Sequence, residues 1–581
     1  MVNKNRLRSA LARTNVVRGA LVVAVLLASP SLFFGLALDD RLQRQSALGE
    51  SALYDLGPFN LFAFVPGPSA HTLSLIESGF GPWWSDLDAR IVLLRPVSSA
   101  LMWFDYQVLR DPILIHAHSI LWYAATAVLA GVLFRRWIGV PWISGLAALM
   151  FAMDPTHGLL VGWIAQRNAL VAGTFGLAAL WLHDRAMRER RLSLDAAASV
   201  CLGLALFSAE AALGAVAYLV AHAWFLDARR LRGLWSLLPP VLIWACVYKL
   251  GDYGAQGSGL YVDPIHEPAQ FAENALRHGP LLVAGELGLP GPDLYLIMSP
   301  AQQAGLIVAA VLLVLAFVLA LRPLLSRDPV TRFFVAGALL SVIPSCATFP
   351  SGRLLFFASF GLVGALAQPF GAYRDRDPAL GGWARPVVYF TAAFHLFLAP
   401  VLFIASSAQM LALDRILLRT AAGVPNVPEL DAQRVVVVNA PDATFLGYVA
   451  PIRAARGEHA PRSVLAMAAG VRPLELTRSG ERSLTLRSSA ALVQPGTDLL
   501  MRGKRPFEVG DGVAFADVTI EFTEVNANGW PTEARFDFTA PLDDPSLRFM
   551  QWQDQTLRPL ALPAVGESVA FPAQDIAVFG E

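Results

Sequence analysis

The chain has 581 residues, no net charge, 55% hydrophobic residues and only 15% charged ones. Such a composition is far from a soluble average, and zero net charge gives no general attraction to nucleic acid. Three cysteines, Cys201, Cys246 and Cys346, each lie in an apolar run without CxxC spacing, which argues against a disulfide framework or a zinc site.

Apolar residues form long blocks from 1 to 413 and short runs beyond. This pattern predicts an α-helical polytopic membrane domain (1–413) and a soluble, mainly β tail (414–581). The first block, 19–38, has about twenty uncharged residues, enough to cross a bilayer core at ~1.5 Å per residue. Lys4, Arg6, Arg8, Arg13 and Arg18 precede it, so the positive-inside rule puts the N-terminus in the cytoplasm and Asp39 and Asp40 at the outer surface. The run is longer than the apolar core of a usual signal peptide and is read as a retained helix.

Residues 39–112 are too polar to span, and their stretch 91–109 has the amphipathic look of a helix lying in the interface. The run 113–134 returns to Arg135 and Arg136, 137–153 goes out, and 158–182 returns to an arginine-rich turn. Arginines flank 194–226 on both sides, which predicts a tight hairpin with Glu210 at its outer apex. The runs 234–250 and 304–321 enclose a long outer loop, whose apolar part 281–289 is short enough to be re-entrant. A hairpin turning at 350–353 and a last exit at 386–411 bring the total to about eleven crossings. An odd count places the tail on the side of Asp39 and Asp40, the periplasm of a bacterial inner membrane.

Under that topology ionisable residues collect at outer helix ends, among them Asp39, Asp40, Arg95, His157, Arg167, Glu210, Lys249, Arg277 and Arg353. Charges at membrane depth are costly unless they pair or line a wet cavity. Each residue alone reads as an interhelical ion pair; their grouping on one face is what points to a site. A carboxylate there can act as general base on a hydroxyl or hold a divalent cation such as Mg2+ or Mn2+. Arginine and lysine can grip a phosphate that stays on a lipid. His116 and His118 resemble a metal pair, but residues two apart on a helix point about 200° away from each other. No HExxH, GxSxG or Gly-rich phosphate loop is present.

In the tail, 432–440 reads as a buried strand and 443–456 as a helix, followed by short alternating segments that suggest a small β-sandwich or barrel. Trp530, Phe536, Phe538, Phe549 and Trp552 suit either its core or a sugar-stacking surface.

Several stretches together resemble the GT-C membrane glycosyltransferases, in particular the protein O-mannosyltransferase-like group whose animal members carry tetratricopeptide repeats. Arg95-Pro96-Val-Ser-Ser-Ala-Leu-Met-Trp103-Phe-Asp105-Tyr106, followed by His116, is one. Asp154-Pro155-Thr-His157-Gly-Leu-Leu-Val161-Gly-Trp163-Ile164-Ala-Gln-Arg167 is similar to that group's His-Pro-x-His-x-Glu-x-Val-x-Trp-Ile-x-x-Arg segment. Phe207-Ser208-Ala209-Glu210 resembles its Ser-Lys-Glu, and Arg353-Leu-Leu-Phe-Phe-Ala-Ser359 its Arg-Tyr-Leu-Tyr-x-x-Ser turn. The likeness runs over about 36–370 in one order, and no 34-residue repeat follows it.

The resemblance implies an acidic catalytic residue in the first outer loop, the position of Asp40 and Asp39, with Asp40 the first choice. It implies a polyprenyl-phosphate sugar donor, inversion at the anomeric carbon, and a lipid, glycan or protein acceptor. Arg95, His157, Arg167, Glu210, Lys249, Arg277 and Arg353 become candidates for holding the lipid phosphate or the substrate. The group's pattern is broken at Asp154, Leu159 and Ala209, where it has His, Glu and Lys. A catalytically inactive membrane scaffold presenting the tail to envelope partners is therefore the alternative.

Overall fold

The computed structural model describes residues 11–12, 16–51, 55–227, 230–289, 291–377, 384–494, 496–503 and 505–574. Lys4, Arg6, Arg8 and Arg13, used in the orientation argument, lie outside them. The described chain is mostly helical, with a β-rich C-terminal region.

Among the described residues six helical stretches are long and apolar enough to cross a membrane: Val16–Phe33, Pro112–Trp137, Gly233–Leu250, Pro300–Arg327, Phe356–Arg374 and Arg385–Ala422. Local chemistry sets their starts. Asp111 caps the N–H of Ile113 before Pro112, and Ser299 and Gln302 close a reciprocal capping box ahead of Pro300–Arg327. The apolar middle of the latter, with its many exposed leucines and valines, suits contact with lipid tails. Shorter apolar helices, Pro141–Ala152, Leu192–Leu206, Glu210–Phe225 and Pro329–Ser345, pack among the long ones. Aromatics fill the joints: the rings of Phe134 and Phe360 stack with centroids 4.9 Å apart.

The stretch 91–109 is not one amphipathic helix. It divides into a strand, Arg90–Val92, a helix started by Pro96, Pro96–Phe104, and a π-helical turn, Asp105–Leu109. Asp105 and Tyr106 in that turn are fully buried, which an interfacial helix would not allow.

The strands among the described residues fall into three sheets. β1 (Ala63–Pro66), β2 (Arg90–Val92) and β3 (Gly254–Gln256) pair antiparallel and tie the segment 55–112 to the segment 251–299. In the tail come β4 (Arg434–Ala440), β5 (Ser463–Ala469), β6 (Leu474–Arg478), β7 (Ser483–Ser488), β8 (Gly512–Ala514), β9 (Val518–Val525), β10 (Pro531–Phe538), β11 (Leu547–Gln553), β12 (Thr556–Pro559) and β13 (Ser568–Phe571). One sheet runs β12-β11-β4-β5, with β4 parallel to both neighbours; the other is antiparallel in the order β13-β6-β7-β10-β9-β8. The valine run of β4 is buried along its whole length, as a strand covered on both faces should be, whereas β9 alternates buried and exposed. Phe536, Phe538, Phe549 and Trp552 are buried in this core and present no stacking face.

Helix Gln409–Ala422 runs through 413, and Arg453 ties its end to the tail by donating to the carbonyls of Ala421 (2.9 Å) and Val424 (2.8 Å). More importantly, the tail and the segment that follows the first apolar helix share one hydrophobic core. The Trp83 ring lies 4.5 Å from that of Phe522 and 5.7 Å from that of Phe536, while its indole N–H donates to Met467. Trp84 donates to the carbonyl of Asp498 at 2.9 Å. Backbones meet without side chains between them: a Cβ on Gly447 would lie 2.6 Å from the Cα of Phe80.

Candidate functional site

A cavity of about 490 Å³ opens where the loops around the β1–β2–β3 sheet meet the helix ends. The β1–β2–β3 sheet supplies Phe64 and Gly254–Gln256 to its wall; the helices supply Leu213, Trp244, Ser341, Pro344 and Phe357. Among the residues expected at a site, Asp39, Arg95, Glu210, Lys249 and Arg353 line it.

Asp39 starts the helix Asp39–Leu48, and Leu38 before it adopts φ +46°, a conformation that costs a non-glycine residue about 1–3 kcal/mol. That turn separates the two carboxylates. Asp39 faces the cavity, where its Oδ1 accepts a 2.9 Å hydrogen bond from the Tyr448 hydroxyl. Burial pushes its pKa above the ordinary value, while Tyr448, Arg353 and Arg95 pull the other way. Asp40 turns inward and is 1% exposed; Oδ2 accepts from the Ala37 N–H (3.1 Å) and Oδ1 from the Ala165 N–H (2.8 Å). Burial drives its pKa up to about 8 against those two donors. Asp40 thus fastens the turn to the loop at 163–166, and Asp39 is the member of the pair available for chemistry. With both Asp40 oxygens facing N–H donors, the pair does not fit a two-carboxylate cation site, and no metal-holding group of three His, Cys, Asp or Glu occurs among the described residues.

The cations differ in how committed they are. Arg95 pairs with Glu210 at 2.8 Å and lies over the Phe62 ring, its guanidinium carbon 5.0 Å from the centroid. Arg353, in the short turn Gly352–Leu354, stacks on Phe349 at 5.1 Å. Among the described residues neither Arg353 nor Lys249 has an ion-pair partner, so both remain open to an anion.

Three expected residues lie elsewhere. Arg167 is buried and paired with Asp105, which also binds His118 at 2.8 Å. The Trp122 indole donates to His118 Nε2, so His118 Nδ1 carries the proton and donates to Asp105. His157 is fully buried near Ser359 (3.3 Å), whose hydroxyl donates to Asp154 at 3.0 Å. Those three residues resemble a catalytic triad by type, but none reaches solvent and the hydroxyl is turned to the aspartate; they hold the helix Phe356–Arg374 against the turn at 153–156. Arg277 is exposed on the helix Pro268–Glu286, pairs with Glu273 one turn back, and does not line the cavity.

The sequence reading missed Tyr448, Tyr248, Gln166 and Asn168. The last three line the cavity. Tyr448 stands 409 positions from its partner and carries no local signal. Comparison with protein-family models, curated proteins and solved structures returns no match.

Proposed function

We propose that the chain is a membrane glycosyltransferase of the GT-C type. It moves a sugar from a polyprenyl-phosphate carrier to a lipid, glycan or protein acceptor at the periplasmic face of a bacterial inner membrane. Eleven crossings arise when Pro141–Ala152, Arg167–Glu189, Leu192–Leu206, Glu210–Phe225 and Pro329–Ser345 span along with the six longer stretches; the tail and Asp39 then share the outer side.

The observation that carries the reading is a single amphipathic cavity in which a carboxylate, Asp39, accompanies two uncommitted cations, Lys249 and Arg353. Its wall continues from polar loops onto apolar helix ends, a match for a ligand with a charged head and a hydrocarbon stem. In the proposed step Asp39 takes the proton of the acceptor hydroxyl. The acceptor oxygen bonds to the anomeric carbon, the bond from that carbon to the phosphate oxygen breaks, and the electron pair leaves on the phosphate. Lys249 and Arg353 hold that phosphate as its charge grows. Asp39→Asn is expected to abolish the transfer at unchanged membrane abundance. Envelope glycan and lipid profiles identical to wild type in that variant would sink the reading.

A second reading, a non-catalytic scaffold, draws on two features of the same wall. Ala209 stands where the resembled group has lysine, and Arg95 is already neutralised by Glu210. Here removal of the tail matters and Asp39→Asn does not.

A further inference from the structure

Three contacts of the tail converge on one short helix. On Asp39–Leu48, Arg41 forms a bidentate pair with Asp414 (Nε to Oδ1 3.3 Å, Nη2 to Oδ2 2.7 Å), Gln45 donates to the Pro451 carbonyl (2.7 Å), and Asp39 accepts from Tyr448 (2.9 Å). Tyr448 ends the short 3-10 helix Phe445–Tyr448 that follows β4, just before the helix Val449–Ala455, and its ring packs 5.9 Å from that of Phe80. The adjacent Gly447 allows the 3-10 helix to approach the Phe80 backbone closely.

We propose that Tyr448 is a positioning residue: by occupying Oδ1 of Asp39 it aims Oδ2 at the cavity, so that the site is complete only when the tail is seated. This rests on the reading of Asp39 as the working carboxylate. A carboxylate has two oxygens and several lone-pair directions, and a base that swings among them delivers its proton-accepting orbital poorly. Oδ2 has no hydrogen-bond donor among the described residues, which leaves it for a substrate hydroxyl. A phenol bonded to the charged form also favours that form, against the burial that opposes it. The tail therefore acts on the membrane site through one hydroxyl.

The test needs no knowledge of the sugar. A hydrophobic carbodiimide reacts with a protonated carboxyl, so Asp39 modification in the full-length protein, located by peptide mass spectrometry across pH 4–9, reports its protonation. Tyr448→Phe is expected to move the midpoint upward by about half a unit to one unit. Tyr448→Gln, which keeps a donor, should move it back toward wild type. Resistance of the tail to limited proteolysis reports whether it stays seated in each variant. A wild-type midpoint in Tyr448→Phe with a seated tail overturns the inference, and so does an equal shift in both variants, which would trace it to lost packing. An Asp39 that is not modified at any pH in the wild type overturns the cavity reading itself.

Discussion

Arg41 and Asp414, 373 positions apart, form a bidentate ion pair with most of both side chains buried. The pair joins the helix that presents Asp39 to the helix that leads into the tail. Removing one partner strands a buried charge, so Arg41→Ala should destabilise the junction by about 3 kcal/mol. Replacing both with apolar residues, Arg41→Met with Asp414→Leu, should recover most of the loss. Thermal unfolding of the solubilised protein decides it; equal destabilisation by the single and double variants contradicts it.

The shared core makes the tail dependent on a segment more than three hundred residues earlier. Trp83→Ala removes a ring that touches Phe522 and Phe536, and a loss of about 3–5 kcal/mol is expected for a large aromatic in a core. Proteolysis should then cut both the first outer loop and the β9–β10 region faster. If the tail alone, expressed as 414–581, folds with sharp cooperative unfolding, the dependence is refuted.

The two arginines should be unequal. Arg353→Gln is expected to lower the proposed sugar transfer about 100-fold, in line with the loss of a charge-stabilising donor. Arg277→Gln should leave it unchanged, since Arg277 is exposed and held by Glu273. Transfer of labelled sugar into the acceptor fraction of membranes compares them, and similar losses in both would count against the cavity as the site.

Asp498 gives the tail a dependence on pH. Burial, with the nearby Asp442 adding to it, raises its pKa to about 8, against the Gln494 N–H that it accepts; unfolded it titrates near ~4. Between those values the folded chain holds a proton that the unfolded chain has released. Stability from this group is therefore greatest at low pH and declines as pH rises from about 4 to about 8. Asp498→Asn cannot ionise and should flatten that slope, visible as a smaller fall in Tm between pH 5 and pH 9. The same slope in variant and wild type would show that the carboxyl is not responsible.

Hydropathy made the long helices legible, because a twenty-residue apolar run has few alternatives to spanning. Asp39 was visible as the acid ending the first run, and Arg353 as the cation of a short turn. Which member of the aspartate pair faces the cavity was not visible: it depends on the Leu38 backbone and on N–H groups from Ala37 and Ala165. Arg167 and Arg277 look alike as charges near outer helix ends. Only packing distinguishes a buried arginine paired with Asp105 from an exposed one. Trp83 and Trp84 lie in a stretch legible only as too polar to span, because the sheets that cover them arrive from the far end of the chain.

That separation has a consequence for biosynthesis. Trp84 and its partner Asp498 are 414 positions apart, so at ~5–20 residues per second the segment around Trp84 waits about 20–80 s for the sheets that bury it. Throughout that interval its tryptophans and phenylalanines are without their cover. The newly made protein thus passes through an obligatory, sticky half-finished state, in which a chaperone has something to hold and a truncated chain has nothing to wait for.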